Sequence, residues 1–325
     1  MKPNLLVMDI KYCSDLTIKK LQAHFNLFPS TARTVSDLRS DLIRTQSKFL
    51  QCGLGIKISN ELLDGVENFQ YVVSPTTGLD HLDIDYLMAR DIKVIHLGQL
   101  KDEIKEVFAT AELTWGLLLA VSRHLVIAHH HVSKGLFDRE VFLGRELQGR
   151  TLGVIGYGRL GKKVSEYGRA FGMNVKITEI DVQKTLELPQ GVERVALDRL
   201  LAESDVISIH LPLTNETQKY VDGKMISKMK AGAILINTSR GEILDEIAAS
   251  QALESGLLYG VGVDVLSGEV SENFDLLSSP LVMAANNGLN VVITPHIGGW
   301  SENAVMKTRD LVAEALIGSI NKVSE

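Results

Sequence analysis

Cysteine is nearly missing from this chain: only Cys13 and Cys52 occur among 325 residues. They have no CxxC spacing and no neighbouring histidine, so a disulfide framework and a zinc knuckle are both excluded, and two free thiols in a reducing compartment are expected. Proline is sparse as well, at 7 residues, and there is no low-complexity tract, which argues for a folded chain and against a disordered one. Long hydrophobic runs are lacking. The opening MKPNLLVMDI holds a short apolar run before Asp9, too short for the core of a signal peptide, so a cytoplasmic location is expected. The longest apolar region, Ala109 to Ala128, contains Glu112, Arg123 and His124, and so predicts a buried or interface helix with no role in a membrane. There is no surplus of positive charge. At a net charge of −6, with Lys and Arg scattered along the chain, nucleic acid is not an expected partner.

What is present is 45% hydrophobic and 23% charged, the make-up of about two globular domains at this length. Short Val/Ile/Leu runs alternate with longer amphipathic stretches: NLLVMD, SDLTIKKLQAHF, FQYVV, DIDYLMARD, IKVIHL. Parallel strands with crossover helices have this rhythm, because each crossover needs a dozen or so residues. A second series starts at Thr151 with TLGVIG and continues through MNVKIT, DVISIH, AILINTS and LLYGVGVDV. The predicted fold class is therefore α/β, with two doubly wound parallel sheets. Glu103 to His131 reads as one long helical candidate interrupted only by Gly116, and Ser301 to about Ser319 as another.

Gly156, Gly158 and Gly161 in GVIGYGRLGKK stand directly after a strand-like run and directly before a helical stretch. In that setting the first glycine makes a tight turn, the second lets backbone approach a pyrophosphate, and the third lets helix and strand pack closely. The N–H groups of Arg159 and Leu160 then point from the helix N-terminus at phosphate oxygens. Glu179 ends the next strand, at the spacing where a carboxylate meets ribose hydroxyls and repels a 2′-phosphate, so NAD is favoured over NADP; Asp181 is the second candidate. The expected arrangement is a Rossmann NAD-binding domain, residues 101–291, inserted into a flavodoxin-like substrate-binding domain, residues 1–100 and 292–325.

Three further stretches fall at strand ends, where open α/β sheets place their ligands: NTSRGEILDE, GVDVLSGEV and ITPHIGG. Arg240 offers a planar fork for a carboxylate and its adjacent carbonyl. His296 is the natural acid or base at a carbonyl oxygen, and Glu269 can hold its other ring nitrogen. Asp264 is placed to meet a nicotinamide carboxamide. His129, His130 and His131 fall consecutively on a helix and point around it, poor geometry for one ion, and no metal is assigned.

With GVIGYGRLG, HLPLTNET, INTSRGEILDE, GVGVDVLSGE, ITPHIGG and SPTTGLDHLD in this order, the chain resembles the D-isomer-specific 2-hydroxyacid dehydrogenases over nearly its whole length. The resemblance implies hydride transfer between NAD(H) and a small 2-hydroxy or 2-keto acid, D-specific. It places the catalytic arginine, glutamate and histidine on Arg240, Glu269 and His296, and the nicotinamide-contacting aspartate on Asp264. It also implies cofactor contacts from Arg159, Leu160, Thr238 and Ser239 and from the backbone of His296 through Gly298. Amides of Thr77 and Gly78 are implied to hold the substrate carboxylate. A homodimer joined through the nucleotide-binding domains is implied, which suits the apolar stretch LTWGLLLAVSRHL. The chain departs from the pattern at Thr76, which stands where glycine is common and narrows the room beside the carboxylate, at Val270 in place of proline, and at Leu113 in place of histidine. The rival reading is an NADH-sensing, corepressor-like binding protein without turnover; such a protein has no use for the acid–base pair.

Overall fold

A computed structural model describes residues 2–181, 187–271 and 273–323. The chain divides into two compact units: Met1–Val107 with Val270–Glu272 and Trp300–Glu325, and Phe108–Glu269 with Asn273–Gly299.

In the first unit β1 (Asn4–Met8), β2 (Asn26–Ser30), β3 (Phe49–Gln51), β4 (Tyr71–Ser74) and β5 (Lys93–His96) form a parallel sheet of order β2-β1-β3-β4-β5. This is the flavodoxin-like order, whose direction reverses between β1 and β3. Leu5, Leu6 and Val7 in β1 are fully buried, as expected of a parallel strand covered on both faces. The crossover helices start where the sequence supplies oxygen caps: Ser14 accepts from the Thr17 amide and Thr34 from the Asp37 amide. The helix Glu302–Val323 belongs here too, with Val312, Ala313 and Leu316 packed among Leu5, Val7, Leu21 and Val73.

In the second unit β6 (Thr151–Ile155), β7 (Asn174–Thr178), β8 (Val192–Arg194), β9 (Val206–Ile209), β10 (Ala233–Asn237), β11 (Leu258–Val263) and β12 (Val291–Ile293) form a parallel sheet of order β12-β11-β10-β9-β6-β7-β8. The order is that of a Rossmann fold with a seventh strand. The unit boundaries lie a few residues beyond the expected 100/101 and 291/292. The reason at the second is β12, which pairs with β11 through Val261–Val291 to Val263–Ile293 and so keeps residues 291–299 with the larger sheet.

The single helix expected over Glu103 to His131 is two helices, Ala109–Ser122 and Leu125–Ser133, bent by 62°. The break falls at His124, whose φ of +54° is left-handed backbone that ends the first helix. In the stretch LTWGLLLAVSRHL, Trp115, Leu117, Leu118 and Val121 are buried in the second unit's core against Leu152, Val154 and Ile236. The exposed apolar side chains begin at its last residue, Leu125, and continue beyond it with Val126, Val132, Phe137, Val141 and Leu143. Among the described residues no single helix is long and apolar enough to cross a membrane, and no cluster of three metal-ligating side chains occurs.

Candidate active site

The turn after β6 is built as its glycines require. Gly156 has a φ of +91°, and a Cβ there would lie 2.5 Å from the His210 carbonyl oxygen; a Cβ at Gly161 would collide with the Gly156 carbonyl. At Gly158, the N-cap of the helix Arg159–Ala170, a Cβ would meet nothing within 4 Å, so open space lies beside the backbone where a phosphate needs to approach. Glu179 follows β7 directly, and its Oε1 accepts from the Tyr157 amide at 2.9 Å, which brings the carboxylate onto the glycine turn. Asp181 uses its carbonyl to accept from Arg194. The residues present thus fit a dinucleotide, with the acidic group beside the turn.

Arg240 follows β10 and is set by Asn237, a fully buried residue the sequence argument passed over. Asn237 Nδ2 donates to the Arg240 carbonyl at 2.8 Å while its Oδ1 accepts from the Ser239 amide at 3.0 Å, closing the turn from which Arg240 projects. Ser239 Oγ donates to the Ile209 carbonyl at 2.7 Å. Thr238 Oγ1 lies 2.8 Å from Thr114 Oγ1; because Thr114 donates its own proton to the Thr110 carbonyl, Thr238 is the donor of that pair. Both predicted cofactor hydroxyls therefore spend their protons inward.

His296 and Glu269 meet: Nδ1 of the imidazole is hydrogen-bonded to Glu269 Oε1, and both side chains are mostly shielded from solvent. Glu269 Oε2 accepts from the Leu266 amide at 3.0 Å, so the carboxylate is held at both oxygens. His296 has a φ of +53°, a conformation histidine tolerates better than most residues, and such outliers mark functional loops. It is held by Asp264, which is 1% exposed. Asp264 Oδ1 accepts from Thr294 Oγ1 at 2.5 Å and the Ile297 amide at 2.9 Å, Oδ2 accepts from the Gly298 amide at 2.6 Å, and the Asp264 carbonyl accepts from the His296 amide at 2.8 Å. Burial pushes the Asp264 carboxyl up, and these hydrogen bonds pull against it. The first task of Asp264 is thus to fasten the histidine loop, a role its position at a strand end did not disclose.

Two more carboxylates escaped the sequence argument. Ser267 and Gly268 donate their amides to Glu246 Oε1 at 2.6 Å and Glu242 Oε1 at 3.0 Å. With Leu266, three successive amides are each taken by a different glutamate. Gly241 lies so close to this loop that a Cβ would collide with the Leu266 and Ser267 backbone, which sets Arg240's turn against the loop that carries Glu269.

In the first unit, Thr77 and Gly78 follow β4, with Thr77 exposed and Gly78 half-buried. Trp300, half exposed, meets Tyr12 edge-on at 5.3 Å and lies 5.4 Å from the Arg309 guanidinium.

Among known families, the sequence model of the D-isomer specific 2-hydroxyacid dehydrogenase NAD-binding domain matches residues 115–298. The chain is 36% identical over 269 residues to a glyoxylate reductase of Thermococcus litoralis, covering 80% of this chain and 77% of that protein. Its fold matches D-lactate dehydrogenase from Aquifex aeolicus, solved with NAD and lactic acid, at a TM-score of 0.79 and 28% identity, over 98% of this chain and 96% of that one. It also matches an acyclic imino acid reductase solved with NADPH and D-Arg, at a TM-score of 0.78 and 26% identity, over 97% of each chain. The chain belongs to the D-isomer specific 2-hydroxyacid dehydrogenase family. It is an NAD-dependent oxidoreductase that moves a hydride between NAD(H) and a 2-keto or 2-hydroxy acid.

Proposed function

We propose that this chain reduces a small 2-keto acid of the glyoxylate or hydroxypyruvate type, using NADH in preference to NADPH, with Arg240, Glu269 and His296 as its catalytic residues. The observation that carries the reading is the Glu269–His296 pair, fastened at the carboxylate by Leu266 and at the histidine loop by Asp264. A carboxylate on Nδ1 leaves Nε2 as the nitrogen that passes a proton to the substrate oxygen. Arg240 binds the substrate carboxylate and polarises the carbonyl, and the amides of Thr77 and Gly78 hold the same carboxylate. NADH, when bound, supplies the hydride.

The dinucleotide is held by Gly156, Gly158 and Gly161, by the Arg159 and Leu160 amides, and by Thr238, Ser239, Asp264 and the backbone from His296 to Gly298. The Glu179 carboxylate supports the preference for NADH, because a 2′-phosphate beside it would be repelled. The second unit is the NAD-binding domain and the first the substrate-binding domain. The exposed Val126, Phe137 and Leu143 support a homodimer joined through the second unit. The reading includes a cytoplasmic location and no nucleic-acid or membrane partner.

The test is NADH oxidation, followed by absorbance, against glyoxylate, hydroxypyruvate, pyruvate, 2-oxoglutarate and phenylpyruvate, with NADPH as the control. Turnover of glyoxylate or hydroxypyruvate with NADH ahead of NADPH is expected. NADH binding with no turnover of any acid would instead favour the sensing reading.

A further inference from the structure

Thr76, which stands where glycine is common, turns its hydroxyl back onto its own loop. Thr76 Oγ1 donates to the Gly78 carbonyl at 2.7 Å and lies 2.8 Å from Ser74 Oγ, which in turn lies 3.0 Å from His81 Nε2. Ser74 and His81 are fully buried. One polarity satisfies this row. A carbonyl only accepts, so the single Thr76 proton goes to Gly78 and Thr76 accepts from Ser74. The Ser74 proton is then used, and Ser74 accepts from His81 Nε2–H. All three donors point toward Gly78, and hydrogen bonds aligned this way reinforce one another. Cys52, beside His81, brings no charge to the row, since burial pushes its thiol up to about 12.

The row and the Leu97 amide bracket the two amides that matter. The Thr76 carbonyl accepts from the Leu97 amide at 3.0 Å, extending the β4–β5 pairing by one bond. In a trans peptide the Thr77 N–H points opposite to that carbonyl, so its direction is fixed. The Gly78 carbonyl is fixed by Thr76 Oγ1. The peptide that carries the Gly78 N–H therefore lies between two immobilised planes. We propose that His81, Ser74 and Thr76 are positioning residues that preorganise the Thr77 and Gly78 amides for the substrate carboxylate, a relay this chain gains from having threonine where glycine is common.

The proposal rests on the reading that those amides bind the carboxylate. Thr76→Val keeps the side-chain shape and removes the hydroxyl. With glyoxylate as the varied substrate, its KM should rise ~3- to 10-fold, the loss of one buried hydrogen bond, with kcat at saturation and the NADH dissociation constant unchanged. Thr76→Ser, which restores the hydroxyl, should recover most of the loss, an outcome that loop packing alone would not give. If Thr76→Val does not fold, Ser74→Ala removes the donor that anchors and polarises the Thr76 hydroxyl and should raise the KM in the same direction by a smaller factor, again with kcat unchanged. Gly78→Pro deletes the amide itself. A raised KM in Gly78→Pro with an unchanged KM in Thr76→Val overturns the relay and leaves the carboxylate loop standing. An unchanged KM in both overturns the loop reading and the relay with it.

Discussion

The Ser267 amide donates to Glu246 Oε1 at 2.6 Å, and through this bond a residue at the start of the helix Glu246–Glu254 governs the loop that ends in Glu269. Glu246 is buried, and its other oxygen accepts from Ser279 Oγ at 3.0 Å. Glu242 takes the next amide and Glu269 the preceding one, so carboxylates outside the reacting pair hold the backbone from which that pair is built.

Glu246 gives the first prediction. Burial, with the charges of Glu242 and Glu269, raises its carboxyl above the ordinary glutamate value of 4.5, while its hydrogen bonds to Ser267 and Ser279 oppose the rise. A group raised in the folded state contributes stability that is complete below the unfolded value and is lost as pH rises through the folded value. Glu246→Gln keeps the acceptor for the Ser267 amide, turns its amide nitrogen to the Ser279 hydroxyl oxygen, and cannot ionise. Denaturant melts should therefore show the variant gaining on the parent as pH rises from about 4.5 toward neutral. A constant difference across that range would remove Glu246 as a strained carboxylate.

Replacing the imidazole separates chemistry from binding. His296→Gln should lower kcat by roughly 10²- to 10⁴-fold, the usual contribution of a positioned acid–base group, with the NADH dissociation constant little changed. Arg240→Ala should lower kcat and also raise the KM of the keto acid. Steady-state kinetics with NADH titration by fluorescence reads both.

Cofactor choice should respond to Glu179. With Glu179→Ala the carboxylate leaves the glycine turn, and the ratio of kcat/KM for NADPH to that for NADH should rise by about 10-fold or more, the value of one charged contact near 1.4 kcal/mol. An unchanged ratio would place the selection elsewhere.

Acid should act through His210. Its carbonyl lies against the glycine turn and its ring Nε2 is 2.8 Å from Ser208 Oγ, and burial pushes its pKa down from 6.5 to about 4. The folded state keeps this imidazole neutral, so the stability it contributes is present above 6.5 and is lost as pH falls toward 4, where the unfolded chain is already protonated. The loss is up to about 3 kcal/mol. His210→Gln, compared with the parent in melts on both sides of that window, should show the smaller acid loss.

Both sheets were legible because buried parallel strands read as continuous apolar runs such as NLLVMD and AILINTS, and the glycine turn was legible because Gly156, Gly158 and Gly161 mark their own geometry. Local pattern could not place the break at His124, since a non-glycine residue with positive φ is stabilised by tertiary surroundings that no window of sequence contains. The clamp by Glu242 and Glu246 was invisible for a related reason: each reaches an amide more than 20 residues away, and a carboxylate at a helix start reads first as a favourable charge for the helix dipole. Thr76 was legible as a departure, but the direction of its hydroxyl was not, because that depends on Ser74 and a histidine that the turn brings back to it.

Asp264, at the end of β11, grips the residues on both sides of His296, and a side chain at Gly298 would bring its Cβ within 2.9 Å of the Asp264 carboxylate. The backbone on either side of the imidazole is therefore anchored to the frame of the sheet where β11 pairs with β12, and the ring's aim is set by that anchor together with the Glu269 carboxylate. Loosening either support lets the acid swing out of line.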